Sequence, residues 1–200
     1  SGLGRSLALE FASRGWRVAV GDLKPGRTSK TADMIKERGG TPINLNCDVT
    51  RPEELETAAK ILRKVWGGID ILINNAGIAV AGEMEKIPLE NWEHILATNL
   101  KSVIYGCRTF VPLMVEQGGG HIVNVASNAG IASLPEMGPY NVTKAGVISL
   151  SETLRIELAA KRIGVTVLAP TFFKTRLMEN FYAPDDRQCR LANRFFDRSR

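Results

Sequence analysis

The sequence predicts an α/β fold with a doubly wound parallel sheet, in a single domain over 1–200. Three observations predict it. Short apolar runs alternate with helical patterns along the whole chain, the signature of parallel βαβ units covered by helices on both faces. Gly2-Leu3-Gly4 opens the first helix, and Asp22 ends the strand that follows it, about twenty residues on. The polar motifs cluster where apolar runs end, and α/β sheets collect their sites at the carboxyl ends of their strands.

The elements follow in order. Residues 3–13 read as a helix and 16–22 as a strand. A helix over 28–38 stops at Gly39-Gly40, and 43–48 is a short strand. Thr50 serves as N-cap and Pro52 enters the first turn of a helix over 52–66. The nearly continuous apolar run 69–74 is a buried strand. A long helix over 89–117 ends at Gly118-Gly119-Gly120. Residues 121–126 form a strand, 139–161 a helix, and 164–169 a strand closed by Pro170. Right-handed crossovers then give the doubly wound sheet. A glycine loop of this kind follows a strand, so the expectation is a sheet that lacks its first, central strand before Ser1. A further strand is expected beyond Arg200, as in a chain trimmed at both ends.

Composition narrows the class. Hydrophobic residues make up 44% and charged residues 24%, which is ordinary for a globular protein. No apolar run is long enough to span a bilayer, so no membrane partner is expected. No secretory signal is visible, and a cytoplasmic location is expected. The net charge of +5 is local, with Arg187, Arg190, Arg194, Arg198 and Arg200 crowding one end. No recognition motif accompanies them, so no nucleic-acid partner is expected. Cys47, Cys107 and Cys189 lack metal or redox spacing and read as free thiols in a reducing compartment. His94 and His121 have no metal-ligand partner at i+3 or i+4, so no metal site is expected.

Tyr140 and Lys144 stand four residues apart, on the same face of a helix. An ammonium close to a phenol favours the phenolate and lowers the Tyr pKa, which makes the Tyr an acid/base near neutral pH. Ser127 ends the preceding strand, where its hydroxyl can donate to a carbonyl oxygen. Glycines at 2 and 4 let the backbone and the helix N-terminus approach a pyrophosphate. Asp22 can accept hydrogen bonds from both ribose hydroxyls of NAD and would repel the 2′-phosphate of NADP. Lys24 is the nearby cation that keeps NADP as the weaker alternative. Ser127, Asn99, Tyr140 and Lys144 each have a plain structural reading as well, as do Asp22 and Asp48 in turns or caps.

Taken together, Gly2-Leu3-Gly4, Asp22, Asn74-Asn75-Ala76-Gly77, Ser127 and Tyr140-Asn-Val-Thr-Lys144 resemble the short-chain dehydrogenase/reductase family over essentially the whole chain. The resemblance implies a Rossmann-type domain and a catalytic set of Asn99, Ser127, Tyr140 and Lys144. Asn99 would take the family's structural position in a kinked helix. Lys144 would hold the nicotinamide ribose. The implied cofactor contacts are Ser1, Gly2, Leu3, Gly4, Asp22, Asp48, Val49, Asn75, Ala76 and Gly77, with Tyr140, Lys144, Pro170 and Thr175. Asp48 matches the family's adenine contact, and Ser1 stands where NADP-users carry a basic residue. Thr171 departs from the family, which has glycine there, and a β-branched residue disfavours positive φ.

The expected activity is interconversion of a secondary alcohol and a ketone. The expected substrate is hydrophobic, because Ile131, Leu134, Met137 and Phe172, with Leu177, Met178, Phe181 and Tyr182, form an apolar rim. The stretch 177–200 reads as a lid helix over that rim. Two alternatives stay open: an NADP-linked carbonyl or 3-oxoacyl reductase, and a dinucleotide-binding redox sensor without catalysis. The resemblance further implies a homodimer or homotetramer built on the long helices, with Ala145, Gly146 and Ser149 small enough for close packing.

Overall fold

The computed structural model describes residues 1–171 and 181–184. Its elements run α1 (Gly2–Ser13), β1 (Val18–Asp22), α2 (Pro25–Lys36), β2 (Pro42–Asn46), α3 (Pro52–Trp66), β3 (Ile71–Asn74) and β4 (Ala79–Val80). Then come α4 (Leu89–Leu96), a π-helical segment (Ala97–Lys101), α5 (Ser102–Gln117), β5 (Gly120–Val125), α6 (Gly138–Glu157), β6 (Ile163–Leu168) and β7 (Phe181–Tyr182). The strands pair in parallel throughout. β1 lies beside β2, and β5 lies between β3 and β6. The edges of β1 and β3 face a common cavity rather than each other.

The expected alternation holds, with local differences that have physical causes. α2 starts at Pro25, ahead of 28, because proline with its fixed φ suits the first helical position. α3 is not capped by Thr50. Arg51 occupies the N-cap position without a capping side-chain bond, and Asp48 organises the turn instead by accepting from the Thr50 backbone N–H and hydroxyl at 2.9 and 2.7 Å. Glu53 and Glu54 in the first turn and Arg63 and Lys64 in the last turn complement the helix dipole. The helix ends at Gly67, whose φ of 84° is the left-handed stop that glycine adopts freely. The long helix over 89–117 is divided at Asn99 by the π-helical turn. The last helix ends at Glu157 and passes into a 3-10 turn, short of 161.

The main core packs α3, α5 and α6 onto the sheet, through Leu62, Val103, Phe110, Met114, Ile122 and Val147 among others. A second, smaller core of Ile78, Val80, Ile87 and Ile95 takes Trp92, Tyr140 and Tyr182 against it. It joins β4 and α4 to the start of α6. Among the described residues no helix is long and apolar enough to cross a membrane.

Candidate active site

A single cavity of about 1460 Å³ runs from the Gly2 loop, past the carboxyl ends of β1 and β3, to Ser127 and Tyr140. Strand ends line it because parallel strands all finish on one edge of the sheet.

The cofactor side is assembled from backbone and glycine. Gly2 has φ 50°. A Cβ on Gly4 would lie 2.7 Å from the Asn75 side-chain nitrogen, so the two predicted loops meet only because residue 4 has no side chain. Asp22 ends β1, and its Oδ1 accepts from the Lys24 backbone N–H at 2.9 Å. The turn role and a ribose-facing role for Asp22 are therefore compatible, one oxygen serving each. Ser1, Leu3, Asp48, Val49, Asn75, Ala76, Gly77 and Pro170 also line the cavity. Thr175 lies outside the described residues, as do Phe172, Leu177 and Met178. Positive φ outside glycine occurs, among the described residues, at Glu136 and Arg162 and not at Thr171, so the chain at Thr171 does not adopt the torsion that glycine would supply.

The catalytic side is built from buried side chains. Asn99 is fully buried, although Asn is a poor helix residue. Its amide is satisfied by tertiary bonds: Oδ1 accepts from Ile78 N–H at 2.8 Å, and Nδ2 donates to Ile78 C=O at 2.9 Å and to Thr143 Oγ1 at 3.3 Å. The π-helical turn at 97–101 coincides with that insertion, as such bulges do at functional sites. Ser127 lies just past β5. Its Oγ accepts from Ala129 N–H at 3.2 Å and makes a long contact of 3.5 Å to the Pro170 carbonyl. Lys144, 4% exposed, donates from Nζ to the Val125 carbonyl at 2.9 Å and sits 5.7 Å from the Tyr140 ring centre. A Cβ on Gly77 would come within 3.4 Å of Asn99 Oδ1 and 3.6 Å of Lys144 Nζ. The Asn-Asn-Ala-Gly turn and the catalytic candidates therefore meet at one point.

The electrostatics correct one expectation. The Tyr140 pKa is raised, not lowered: burial disfavours the phenolate, and the Ser127 hydroxyl pulls it only part of the way back. Lys144 pays for its own burial, which pushes its pKa down to about 8. Nζ donates to the Val125 carbonyl, and burial with the Ser127 hydroxyl sets the direction of the phenol. Burial also pushes the Cys47 and Cys107 thiols up to about 11, and both are free and buried; Cys189 lies outside the described residues.

The expected substrate rim is described at Ile131, Leu134, Met137, Phe181 and Tyr182. Leu134, Met137 and Phe181 line the cavity. Ile131 is 69% exposed, and Tyr182 packs into the second core. The lid-helix expectation does not hold at Phe181–Tyr182, which pairs with β4 as a strand; the rest of that stretch, apart from 183–184, lies outside the described residues.

Sequence reasoning passed over Gly130 and Glu136. A Cβ on Gly130 would sit 2.6 Å from the Lys144 backbone carbonyl carbon, so the loop after Ser127 rests directly on α6. Glu136 lines the cavity with φ 58°, held by a 2.7 Å bond from Gly82 N–H to its carbonyl. It is the one charged residue between Ser127 and Tyr140, a signal that the apolar-rim reading overlooked.

Comparison with known proteins adds the following. The family model described as short chain dehydrogenase matches residues 1–186. The chain is 38% identical to "Probable oxidoreductase EphD" of Mycobacterium tuberculosis over 92% of its length and 32% of that protein, so it spans about a third of that relative. It is 33% identical to "D-threitol dehydrogenase" of Mycolicibacterium smegmatis, covering 88% of this chain and 68% of that one. Identity to "Cyclohexanol dehydrogenase" of an Acinetobacter species is 32%, covering 90% and 72%. The solved structure of a short chain dehydrogenase/reductase from Burkholderia phymatum in complex with NAD superposes with a TM-score of 0.95 at 28% identity, over 100% of this chain and 76% of that one.

Proposed function

The chain belongs to the short-chain dehydrogenase family, and from that premise we propose that it is an NAD(H)-dependent oxidoreductase interconverting a secondary alcohol and a ketone, with Tyr140 as acid/base. The observation that carries the proposal is the convergence of Tyr140, Ser127, Lys144 and Asn99 at one end of the cavity that begins at the Gly2 loop and Asp22. A dinucleotide sensor needs only the second half of that arrangement.

The residues present fit a dinucleotide. Gly4 lets the Asn75 loop close against α1, and Gly77 presents bare backbone to the cavity where a Cβ would stand 3.4 Å from Asn99 and 3.6 Å from Lys144. The α1 N-terminus, at Gly2, presents free N–H groups to an anion. Asp22 sits at a strand end, where it accepts hydroxyl donors and opposes a 2′-phosphate. When bound, the dinucleotide accepts or returns a hydride at its nicotinamide ring.

The chain's own part is proton management. In ketone reduction Tyr140 donates its phenolic proton to the carbonyl oxygen, while Ser127 donates a hydrogen bond to that oxygen. The raised phenol pKa keeps Tyr140 protonated, hence competent as an acid, across neutral pH. In alcohol oxidation Tyr140 takes the proton, which demands the phenolate and favours higher pH. Lys144 holds the ribose and supplies positive charge below about pH 8.

Leu134, Met137 and Phe181 support an apolar substrate body, in keeping with the similarity to the cyclohexanol enzyme. Glu136 favours the second reading, a polyhydroxy alcohol, in keeping with the similarity to the threitol enzyme. Exposed Leu89, Ile104, Val142 and Ile156 on α4, α5 and α6 support a homodimer or homotetramer through those helices. Gly146 is occupied within its own chain, since a Cβ there would meet Leu100 at 3.1 Å. The free thiols Cys47 and Cys107 support a cytoplasmic location.

The test is NADH oxidation by the purified protein against apolar and hydroxylated ketones, with NAD reduction by the matching alcohols. Tyr140→Phe is expected to lose about a thousandfold in turnover, within the range of general acid–base catalysis. Turnover that survives Tyr140→Phe, or NADH binding with no turnover on either panel, would overturn the reading.

A further inference from the structure

β5 carries a polar residue where a central parallel strand normally carries Val or Ile. Asn124 is fully buried, a placement that costs free energy unless every polar atom is bonded. All are. Asn74 is its register partner on β3 and donates from Nδ2 to Asn124 Oδ1 at 2.8 Å. Asn124 Nδ2 donates to Ser151 Oγ at 2.9 Å, and Ser151 Oγ donates to the Val147 carbonyl at 2.7 Å. The amide therefore joins the first residue of the Asn-Asn-Ala-Gly turn to the middle of α6.

The next residue, Val125, presents the carbonyl that receives Lys144 Nζ at 2.9 Å. Lys144, Val147 and Ser151 are spaced to share one face of α6. Two adjacent residues of β5 thus grip α6 at two points about two turns apart. One grip is the catalytic ammonium itself; the other is a neutral amide that touches neither cavity nor reacting atoms.

We propose that Asn124 is a positioning residue for Lys144: its bonds to Asn74 and Ser151 fix how α6 sits along β5, and so where Nζ lies relative to Tyr140 and Gly77. The inference rests on the role given to Lys144 under Proposed function. The titratable group facing Nζ is Tyr140 on its own helix; Asn99 and the Gly77 backbone, which approach it from the π-helical segment and from the turn after β3, are uncharged. Loosening the grip lets Nζ leave the Val125 carbonyl for solvent, and its pKa then moves up toward the ordinary lysine value.

The experiment compares wild type, Asn124→Leu, Ser151→Ala and the double variant in alcohol oxidation with NAD, recording kcat, KM, the pH dependence of kcat and the melting temperature. Asn124→Leu keeps the volume and removes the bonds. Its kcat is expected to fall about tenfold, with KM for the alcohol changed less, as for a misplaced catalytic group. The pH limb belonging to Lys144 is expected to move upward. Ser151→Ala should move the same limb in the same direction by less, and the double variant should be no worse than Asn124→Leu, because the two residues act through one bond. A folded Asn124→Leu with the wild-type kcat and limb, a fall in melting temperature alone, or additive losses in the double variant would each overturn the proposal. Should Asn124→Leu fail to fold, the limb of Ser151→Ala decides in the same way. Tyr140→Phe separates the two claims. If it retains turnover, the catalytic reading falls; if it loses turnover while Asn124→Leu matches wild type, only the positioning role falls.

Discussion

The two ends of the cavity are made by opposite means. At the Gly2 end the chain works by omission: Gly2 takes a positive φ, Gly4 lets Asn75 approach, Asp22 ends a strand, and the side chains that line the loop are at least partly solvated. At the Tyr140 end it works by insertion: Asn99, Asn124, Thr143 and Lys144 are polar groups pushed into the interior and bonded there. The difference has an energetic consequence. A partly solvated carboxylate is changed at little cost to the fold, so under the proposed function the Gly2 end would set affinity and cofactor choice. Buried polar groups are expensive, so at the Tyr140 end activity and stability are coupled, and with opposite sign for the lysine.

Lys144→Met tests that coupling most sharply. The folded pKa of about 8 lies below the ordinary 10.5. Between those values the unfolded chain binds more protons, so stability rises with pH across that window, and at pH 7 the buried ammonium costs up to about 3 kcal/mol. Removing it also forfeits the bond to the Val125 carbonyl, worth about 1 kcal/mol. Turnover is expected to fall at least about a hundredfold, while urea melts at pH 7 show a net gain of about 1–2 kcal/mol that vanishes toward pH 10.5. Loss of stability at pH 7 would show that the ammonium is better solvated than its burial implies, and the contrast between the two ends would fail.

Gly130→Ala is the next largest. The intruding Cβ meets the backbone of Lys144 and Ala145 at 2.6–2.8 Å, atoms that no rotamer change can move. Overpacking of that kind costs about 1–3 kcal/mol, and the loop carrying Ser127 must lift from α6. Chemical melts should show the loss, with kcat falling more than KM rises. An unchanged melt and unchanged kcat would mean that the loop is not set by that contact.

The same contrast explains what was legible in the sequence. The alternating elements, the glycine loop, Asp22 and the Tyr140–Lys144 pair are written as local patterns, because periodicity and i, i+4 spacing fix where such side chains go. Asn74, Asn99 and Ser127 were visible as motifs, but each has a bonding partner 21 to 50 residues away in sequence, which had to await the fold. Gly130 and Asn124 carry no local signature at all; what makes them matter is the approach of α6. The lowered phenol pKa was inferred from spacing alone. It fails because the burial of the phenol, which raises its pKa, is a tertiary fact. Thr50 misled for a related reason: Asp48, two residues back, claims its hydroxyl before the helix can.

Asp22→Ser is the smallest effect and the one that isolates the Gly2 end. The carboxylate is partly exposed and holds only the Lys24 backbone N–H among its described bonds, and serine can replace that short turn bond. Stability should therefore change by no more than about 0.5 kcal/mol. Under the proposed function, however, its charge would oppose a 2′-phosphate, and Lys24, which lines the same cavity, would receive that phosphate once the carboxylate is gone. The ratio of kcat/KM with NADH to that with NADPH is expected to fall about tenfold, equivalent to about 1.4 kcal/mol, mostly through a lower KM for NADPH. A preference that stays with NADH would move the basis of discrimination from this charge to the shape of the glycine loop. In either case the melt should not move, and a melt that did would place Asp22 among the buried polar groups of the other end.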